Sequence, residues 1–337
     1  MSRARISICV ANYNGEELLA ECLDSVLAQR VQADIEILVH DDASRDGSLA
    51  LLQDLYPQAR VITSENNVGF CTSNNRMADS ASGDYLLLLN NDAVLLPGAL
   101  QCLLDSAQSS DRPAILSLPQ YDWTSGALVD RGCRLDLFHM PVPNLVPARH
   151  EVAYVIGACF FLPRGLWDSL GGFPDWFGSI AEDAYLCRAA QLRGAQVRVV
   201  EGSGYRHRQG ASIGGNRVES GRLKTNYARR YLSERNRMAV LAICMPTALM
   251  WPWLALHVAA LLAEGLLLTV LKRDLQPWRR IYWRCAMDAW RARRLWASAR
   301  RELQESRTIN LSEYLRSYTF SPRKLVLLWR HGMPEVD

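Results

Sequence analysis

The chain has 337 residues, of which 49% are hydrophobic and 22% charged, with a formal net charge of +3. That length corresponds to about two domains, or to one large α/β domain with an appendage. The half-apolar composition with mixed charge excludes a disordered or collagen-like polymer. A net charge near zero argues against nucleic acid as a partner, because duplex binders concentrate basic charge across a domain. The nine cysteines are scattered singly, most of them in apolar runs such as Ile8-Cys9-Val10 and Ala158-Cys159-Phe160. They read as small buried hydrophobes in a reducing compartment. Met1–Arg5 runs directly into a strand-like segment with no signal-peptide core, so the expected compartment is the cytoplasm.

In chain order, Ile6–Ala11 reads as a buried strand and Glu16–Ala28 as an amphipathic helix. A second strand follows at Ile35–Val39, a helix at Ser48–Tyr56 closed by Pro57, and a third strand at Arg60–Thr63. Next come a helix at Cys71–Ala81, a strand at Tyr85–Leu89, a helix from Pro97 to about Gln108, and a strand at Ala114–Leu118. Strands that are apolar throughout are the kind covered by helices on both faces. The pattern predicts a doubly wound, mostly parallel α/β sheet, in which ligands sit at the carboxyl ends of the strands. Beyond residue 120 the pattern gives a strand at Val152–Leu162, a turn at Gly171-Gly172-Phe173-Pro174, a helix over Ala181–Arg193 and a strand at Val197–Val200. The glycine-rich stretch 202–222 reads as a loop or lid.

From about residue 236 the composition shifts. Val240–Leu271 holds only His257 and Glu264 as ionisable groups, and Trp253–Leu271 alone would make about 28 Å of helix. Ten lysines and arginines follow between Lys272 and Arg301, opposed only by Asp274 and Asp288 and interleaved with four tryptophans. Basic residues mixed with tryptophan suit a helix lying on anionic lipid. A single span would place this basic tail outside, against the positive-inside tendency. A re-entrant hairpin or in-plane helices is therefore expected, with a true span or a buried helix of an oligomer as the alternatives. Three segments result: 1–120, 121–235 and a helical, membrane-associating 236–337.

Four polar clusters fall at element ends. They are Asn12-Tyr13-Asn14-Gly15, Asp41-Asp42-Ala43-Ser44-Arg45-Asp46-Gly47, Asn90-Asn91-Asp92 and Glu182-Asp183. Singly, each is explained by turn chemistry. Three of them on the carboxyl edge of one sheet would converge on one crevice, where a carboxylate suits a divalent cation and its diphosphate. No Gly-x-x-x-x-Gly-Lys occurs, and no Gly-x-Gly-x-x-Gly follows the first strand, so the common phosphate loops are excluded.

The ordered series of these clusters with Asn66-Asn67-Val68-Gly69-Phe70, Gly83-Asp84-Tyr85 and Gly171-Gly172-Phe173 resembles the family 2 inverting glycosyltransferases of GT-A fold over roughly residues 5–210. Asn90-Asn91-Asp92, the trailing His207-Arg208-Gln209-Gly210-Ala211-Ser212 and the apolar-then-basic tail are similar to the rhamnosyltransferase-like members of bacterial surface polysaccharide assembly. The resemblance implies a nucleotide site formed by Ala11, Asn12, Asn14, Asp41, Asp42, Asn67, Asn75, Arg76 and Asn91. It implies Mg²⁺ or Mn²⁺ held by Asp92 with Asn90 and His207. Asn90 stands where the family usually has a carboxylate, which leaves less negative charge for the metal. It places the base on Asp183, with Glu182 orienting, and an acceptor sugar stacks on Trp176 and Phe177. Bland readings stand beside these: a solvated helix face for Arg76, a basic loop for His207, helix N-terminal carboxylates for Glu182 and Asp183, and core packing for the two aromatics.

The resulting expectation is a single-sugar transferase at the cytoplasmic face of the plasma membrane. It takes a nucleotide-diphosphate sugar, with dTDP-rhamnose favoured, and a lipid-linked glycan acceptor, with no nucleic acid. A sugar-nucleotide nucleotidylyltransferase and a non-catalytic nucleotide-binding scaffold are the competing readings.

Overall fold

The computed structural model describes residues 3–209, 217–219, 222–332 and 335–336. The chain divides into two compact units. The first comprises 1–133, 143–190 and 195–212; the second comprises 134–142, 191–194 and 213–337. The segments expected on either side of residue 120 both fall largely in the first unit, and the second unit is mostly 213–337. Residues 210–216, 220 and 221, which include four of the six glycines of the stretch 202–222, lie outside the described residues.

The first unit opens with strand β1 (Ala4–Asn12), helix α1 (Glu16–Leu27), β2 (Ala33–Asp41), α2 (Ser48–Leu55), β3 (Arg60–Thr63), α3 (Phe70–Ser80) and β4 (Tyr85–Asn90). The chain continues with β5 (Ala93–Leu95), α4 (Ala99–Gln108), β6 (Ala114–Ser117), β7 (Gln120–Asp122), β8 (Leu128–Asp130), β9 (Cys133–Leu135), β10 (Pro141–Pro143) and β11 (Cys159–Pro163), of which β9 and β10 fall mostly in the second unit. Helices α5 (Arg164–Leu170) and α6 (Glu182–Leu192) and strands β12 (Gln196–Val199) and β13 (Tyr205–His207) complete this part of the chain. The strand expected over 152–162 forms only at β11; 152–155 are buried, and the Val152 N–H donates to the Val197 carbonyl of β12 at the edge of the main sheet.

The main sheet has seven strands in the order β12-β6-β11-β4-β1-β2-β3. Only β11 runs antiparallel to its neighbours. Apolar runs build its centre: Ile6, Ile8 and Val10 of β1 and Leu87 and Leu89 of β4 pack with Leu19, Leu23 and Val26 of α1 and Leu100 and Leu103 of α4. Helix α3 packs on β1 and β2 and takes no part in that cluster, so it covers the other face. Residues buried from both sides explain why these strands read as continuous apolar runs. Register then sets the site. Asn12 pairs with Asp41 across β1 and β2, and Ala11 pairs with Asn90 across β1 and β4, so three polar clusters reach the same carboxyl edge. A smaller sheet, β5-β13-β7-β8, carries His207 alongside Ala93. All nine cysteines are free thiols.

The second unit is mainly helical. It contains α7 (Tyr227–Cys244), α8 (Thr247–Lys272), a wide turn at Trp278–Tyr282 leading into α9 (Trp283–Glu305), α10 (Leu311–Leu315) and α11 (Arg323–His331). The side chain of Asn226 caps α7, and Asn310 with Glu313 forms a capping box on α10. The apolar stretch expected over 240–271 is thus the end of α7 and nearly all of α8, joined at Met245-Pro246. Gly265 lies under the ring of Tyr282, where a Cβ would come within 2.5 Å of it, so the wide turn packs directly on the α8 backbone.

A buried ion cluster ties these helices together. Glu234, 0% exposed, meets Arg237 and Lys324 at 2.8 Å and Arg230 at 3.2 Å. Lys324 and Arg230 also meet Glu264 of α8, whose carboxylate accepts a hydrogen bond from the Tyr282 hydroxyl. Removing the central anion takes away the carboxylate paired with Arg237 and leaves Arg230 and Lys324 to share Glu264. Glu234→Ala should therefore cost about 3–5 kcal/mol of stability, measurable as a lowered midpoint in chemical denaturation.

Candidate active site

The floor of the crevice is a clasp between two asparagines. Nδ2 of Asn12 donates to Oδ2 of Asp41 at 3.0 Å, while its Oδ1 accepts from Nδ2 of Asn91 at 2.8 Å. Gly15 follows directly beneath: a Cβ there would lie 2.2 Å from Oδ1 of Asn12 and 2.3 Å from Nδ2 of Asn91. Asn14 adopts φ 49°, donates its N–H to Ser44 Oγ and accepts from Arg45 N–H. Asn tolerates this left-handed conformation through such local bonds. Ala11 sits in β1 beside them.

Asp41 and Asp42 are 1% and 3% exposed. Asp41 accepts from Asn12 and from the Ser44 N–H, and Asp42 accepts from the backbone N–H groups of Val68 and Gly69 at 2.7 and 2.8 Å. They shape the crevice wall and hold the 66–69 loop that carries Asn67, which is itself exposed. Arg76 is exposed at its helix surface and donates to Ser64 Oγ at 2.6 Å, and that oxygen lies 3.1 Å from Nε2 of His40. Burial holds the His40 imidazole below its ordinary pKa. Asn75 departs from the expected role. Its amide clasps the backbone of Phe173 in both directions and also donates to Asp175, so it fastens the 173–175 segment to α3.

Asp92 stands alone electrically. Its carboxylate is buried, and among the described residues its contact is Nε2 of His207, 3.1 Å from Oδ1. Oδ1 of Asn90 is likewise buried without a donor. A buried carboxylate lacking hydrogen-bond donors is costly unless a cation meets it. A carboxylate oxygen, an imidazole nitrogen and an amide oxygen together fit a divalent ion such as Mg²⁺ or Mn²⁺. Among the described residues no cluster of three His, Cys, Asp or Glu forms. Asp130 shares these surroundings; burial pushes its carboxyl up to about 7, and His207 opposes the shift.

Asp183 joins the same edge through the backbone. The Asn90 N–H donates to the Ala158 carbonyl, and the adjacent Gly157 N–H donates to Oδ2 of Asp183 at 3.0 Å. The Ala184 N–H donates to Oδ1. Burial outweighs these bonds and pushes the Asp183 carboxyl up to about 6. Glu182, 6% exposed, starts the helix beside it. The entry to α6 is strained, because Ile180 and Ala181 both have positive φ, 72° and 69°. Phe177 corrects an expectation: it is 0% exposed and packs against Trp176 and Tyr185, so its ring cannot stack on an acceptor. Trp176 is half-buried.

Three contributors escaped the sequence reading: Ser44, Gly157 and Asp130. Ser44 lay inside a motif already singled out. Gly157 interrupts the apolar Val155-Ile156-Gly157-Ala158 run, a signal of close backbone approach.

Residues 7–164 match the family model described as glycosyl transferase family 2. The fold is a GT-A-like α/β fold. The O-antigen biosynthesis protein RfbC of Myxococcus xanthus is 28% identical over 228 residues, which is 62% of this chain and 18% of that protein. The chain spans less than half the length of the curated relatives it matches first. Among solved structures, GalNAc-T7 with UDP, GalNAc and Mn²⁺ superposes with a TM-score of 0.54 at 17% identity, covering 61% of this chain and 43% of that one. The mannosyltransferase PcManGT of Pyrobaculum calidifontis, in complex with GDP-Man and Mn²⁺, gives 0.51 at 16% identity, covering 90% and 86%.

Gly15 has an ordinary negative φ, so the penalty for a side chain there is purely steric. Gly15→Ala should force the Asn12–Asn91 clasp apart and cost about 1–3 kcal/mol, read as a Tm several degrees lower.

Proposed function

We propose that the chain is an inverting glycosyltransferase that moves one sugar from a nucleotide-diphosphate sugar to a lipid-linked glycan in cell-surface polysaccharide assembly. One observation carries the reading: an uncompensated Asp92–His207 pair and a pKa-raised Asp183 are joined to the same sheet edge. The acceptor hydroxyl oxygen attacks the anomeric carbon, its proton passes to a carboxylate oxygen of Asp183, and the bond from that carbon to the diphosphate oxygen breaks. Glu182 orients the base or the acceptor hydroxyl. Asp92, with His207 and Asn90, would hold a divalent metal, which when bound neutralises charge on the departing diphosphate. The Asn12–Asn91 floor, the Asp41 and Asp42 walls, and Arg76 at the rim would line the nucleotide.

The two solved neighbours support a nucleotide-sugar donor and Mn²⁺ by their bound molecules, and RfbC supports a surface-polysaccharide setting by its name. The favoured donor, dTDP-rhamnose, rests on the subgroup resemblance alone. The cytoplasmic membrane face is the proposed location, because an acceptor carried on lipid is reached there.

A thermal-shift series with nucleoside diphosphates of each base, with Mg²⁺ or Mn²⁺ and then with chelator, tests the donor site. One diphosphate should stabilise the protein in a metal-dependent way. At about 100 times its Kd the ligand adds roughly 2.7 kcal/mol. Stabilisation by triphosphates alone would point to nucleotidyl transfer. Asp183→Asn should abolish transfer while leaving the diphosphate shift intact; loss of both would remove Asp183 from the role of base. A base must be ionised to accept a proton, so kcat/KM should fall about tenfold per pH unit below about 6 and level off above it. An acid limb centred near 4 would show that Asp183 does not titrate as the base.

A further inference from the structure

A helix facing water turns its polar side chains outward. Helix α8 does the reverse. Across its outer side Trp251, Leu256, Leu266, Leu267, Val270 and Leu271 are 51–71% exposed. Between Ala248 and Leu271 the polar side chains are His257, Glu264 and Thr269, and the two ionisable ones lie off that side. His257 is 3% exposed, Glu264 is bound by Lys324, Arg230 and Tyr282, and Thr269 donates to the Gly265 carbonyl. The inward stripe is Met250, His257, Leu261, Gly265 and Leu268. An apolar face this long, on a helix whose charge is buried inward, marks contact with a non-aqueous partner.

The surroundings indicate which partner. In α9 and the turn before it, Arg279, Arg280, Arg291 and Arg294 are exposed, and Trp283 and Trp290 are 51% and 64% exposed. Trp329 of α11 is 85% exposed. Arginine and tryptophan together match the headgroup zone of an anionic bilayer. Length and hydropathy alone also allow α8 to cross a membrane. Crossing would draw Glu264 into hydrocarbon, and with it Arg230 and Lys324, which are paired to it, and Glu234, which those two cations also hold, against a steep cost for each charge.

We propose that the outward face of α8 is a monotopic docking surface: the helix lies in the plane of an anionic bilayer with Trp251–Leu271 among the upper acyl chains. This deepens the membrane part of the proposed function and is independent of the sugar chemistry. The full-length protein should co-sediment with vesicles of phosphatidylcholine plus phosphatidylglycerol and far less with phosphatidylcholine alone. Leu267→Glu with Leu271→Glu should weaken that binding about tenfold or more at unchanged Tm. Reversing Arg291 and Arg294 to glutamate should abolish only the preference for anionic lipid. Thr247→Cys and Lys272→Cys, added separately and bound to preformed vesicles, should both react with a membrane-impermeant maleimide from outside, with the parent protein as blank. Protection of one end would mean a span and overturn the in-plane geometry. Unchanged vesicle binding by the double glutamate variant would overturn the surface. So would a lipid-free dimer that those glutamates dissociate, since a second copy would then cover the face. The diphosphate thermal shift in detergent reads the donor site separately, so failure of one reading is distinguishable from failure of the other.

Discussion

The register of β1 between β2 and β4 is the constraint on which the site depends. With Asn12 opposite Asp41 and Ala11 opposite Asn90, a shift of one residue would turn every side chain of β1 to the other face. Ile6, Ile8 and Val10 hold that register because they have only one core to enter. Stability and chemistry are therefore set by the same strand. The apolar half fixes its position, and the last polar residue, Asn12, inherits a location at the crevice floor.

Around that floor, backbone groups do most of the positioning. Asp42 is held by two N–H groups of the 66–69 loop, and Asp183 by those of Gly157 and Ala184. Such donors come already aligned by the fold, so little reorganisation is needed when a ligand arrives. Asp92 is the exception, since among the described residues its buried carboxylate has an imidazole as its one side-chain contact. The contrast gives the site two kinds of carboxylate: those that hold loops in place, and one left for a ligand to satisfy.

The polar ends of long strands were legible because apolar runs end abruptly in Asn, Asp and Gly, and both signals are local. The doubly wound sheet followed from the same runs. What escaped was non-local or short. The three-residue strands β5 and β13 carry no periodicity, yet their pairing brings His207 beside Asp92. The family resemblance puts Asn75 at the nucleotide, but a segment nearly a hundred residues later claims its amide. Phe177 and Trp176 are adjacent aromatics that no sequence pattern separates into buried and half-buried. In α8 the composition revealed an apolar helix, whereas the inward turn of Glu264 required knowing where Arg230 and Lys324 lie.

The left-handed pair Ile180-Ala181 has one more consequence. Two consecutive non-glycine residues with positive φ cost on the order of 1–3 kcal/mol each, and Ile is branched at Cβ. The bend is pinned on one side by the Cys71 N–H on the Gly178 carbonyl, and on the other by the Tyr185 N–H on the Ala181 carbonyl. A compressed hinge therefore sits at the doorstep of Asp183. A molecule whose docking lets those two residues relax would be rewarded with the stored energy, and one that needs the bend held would not.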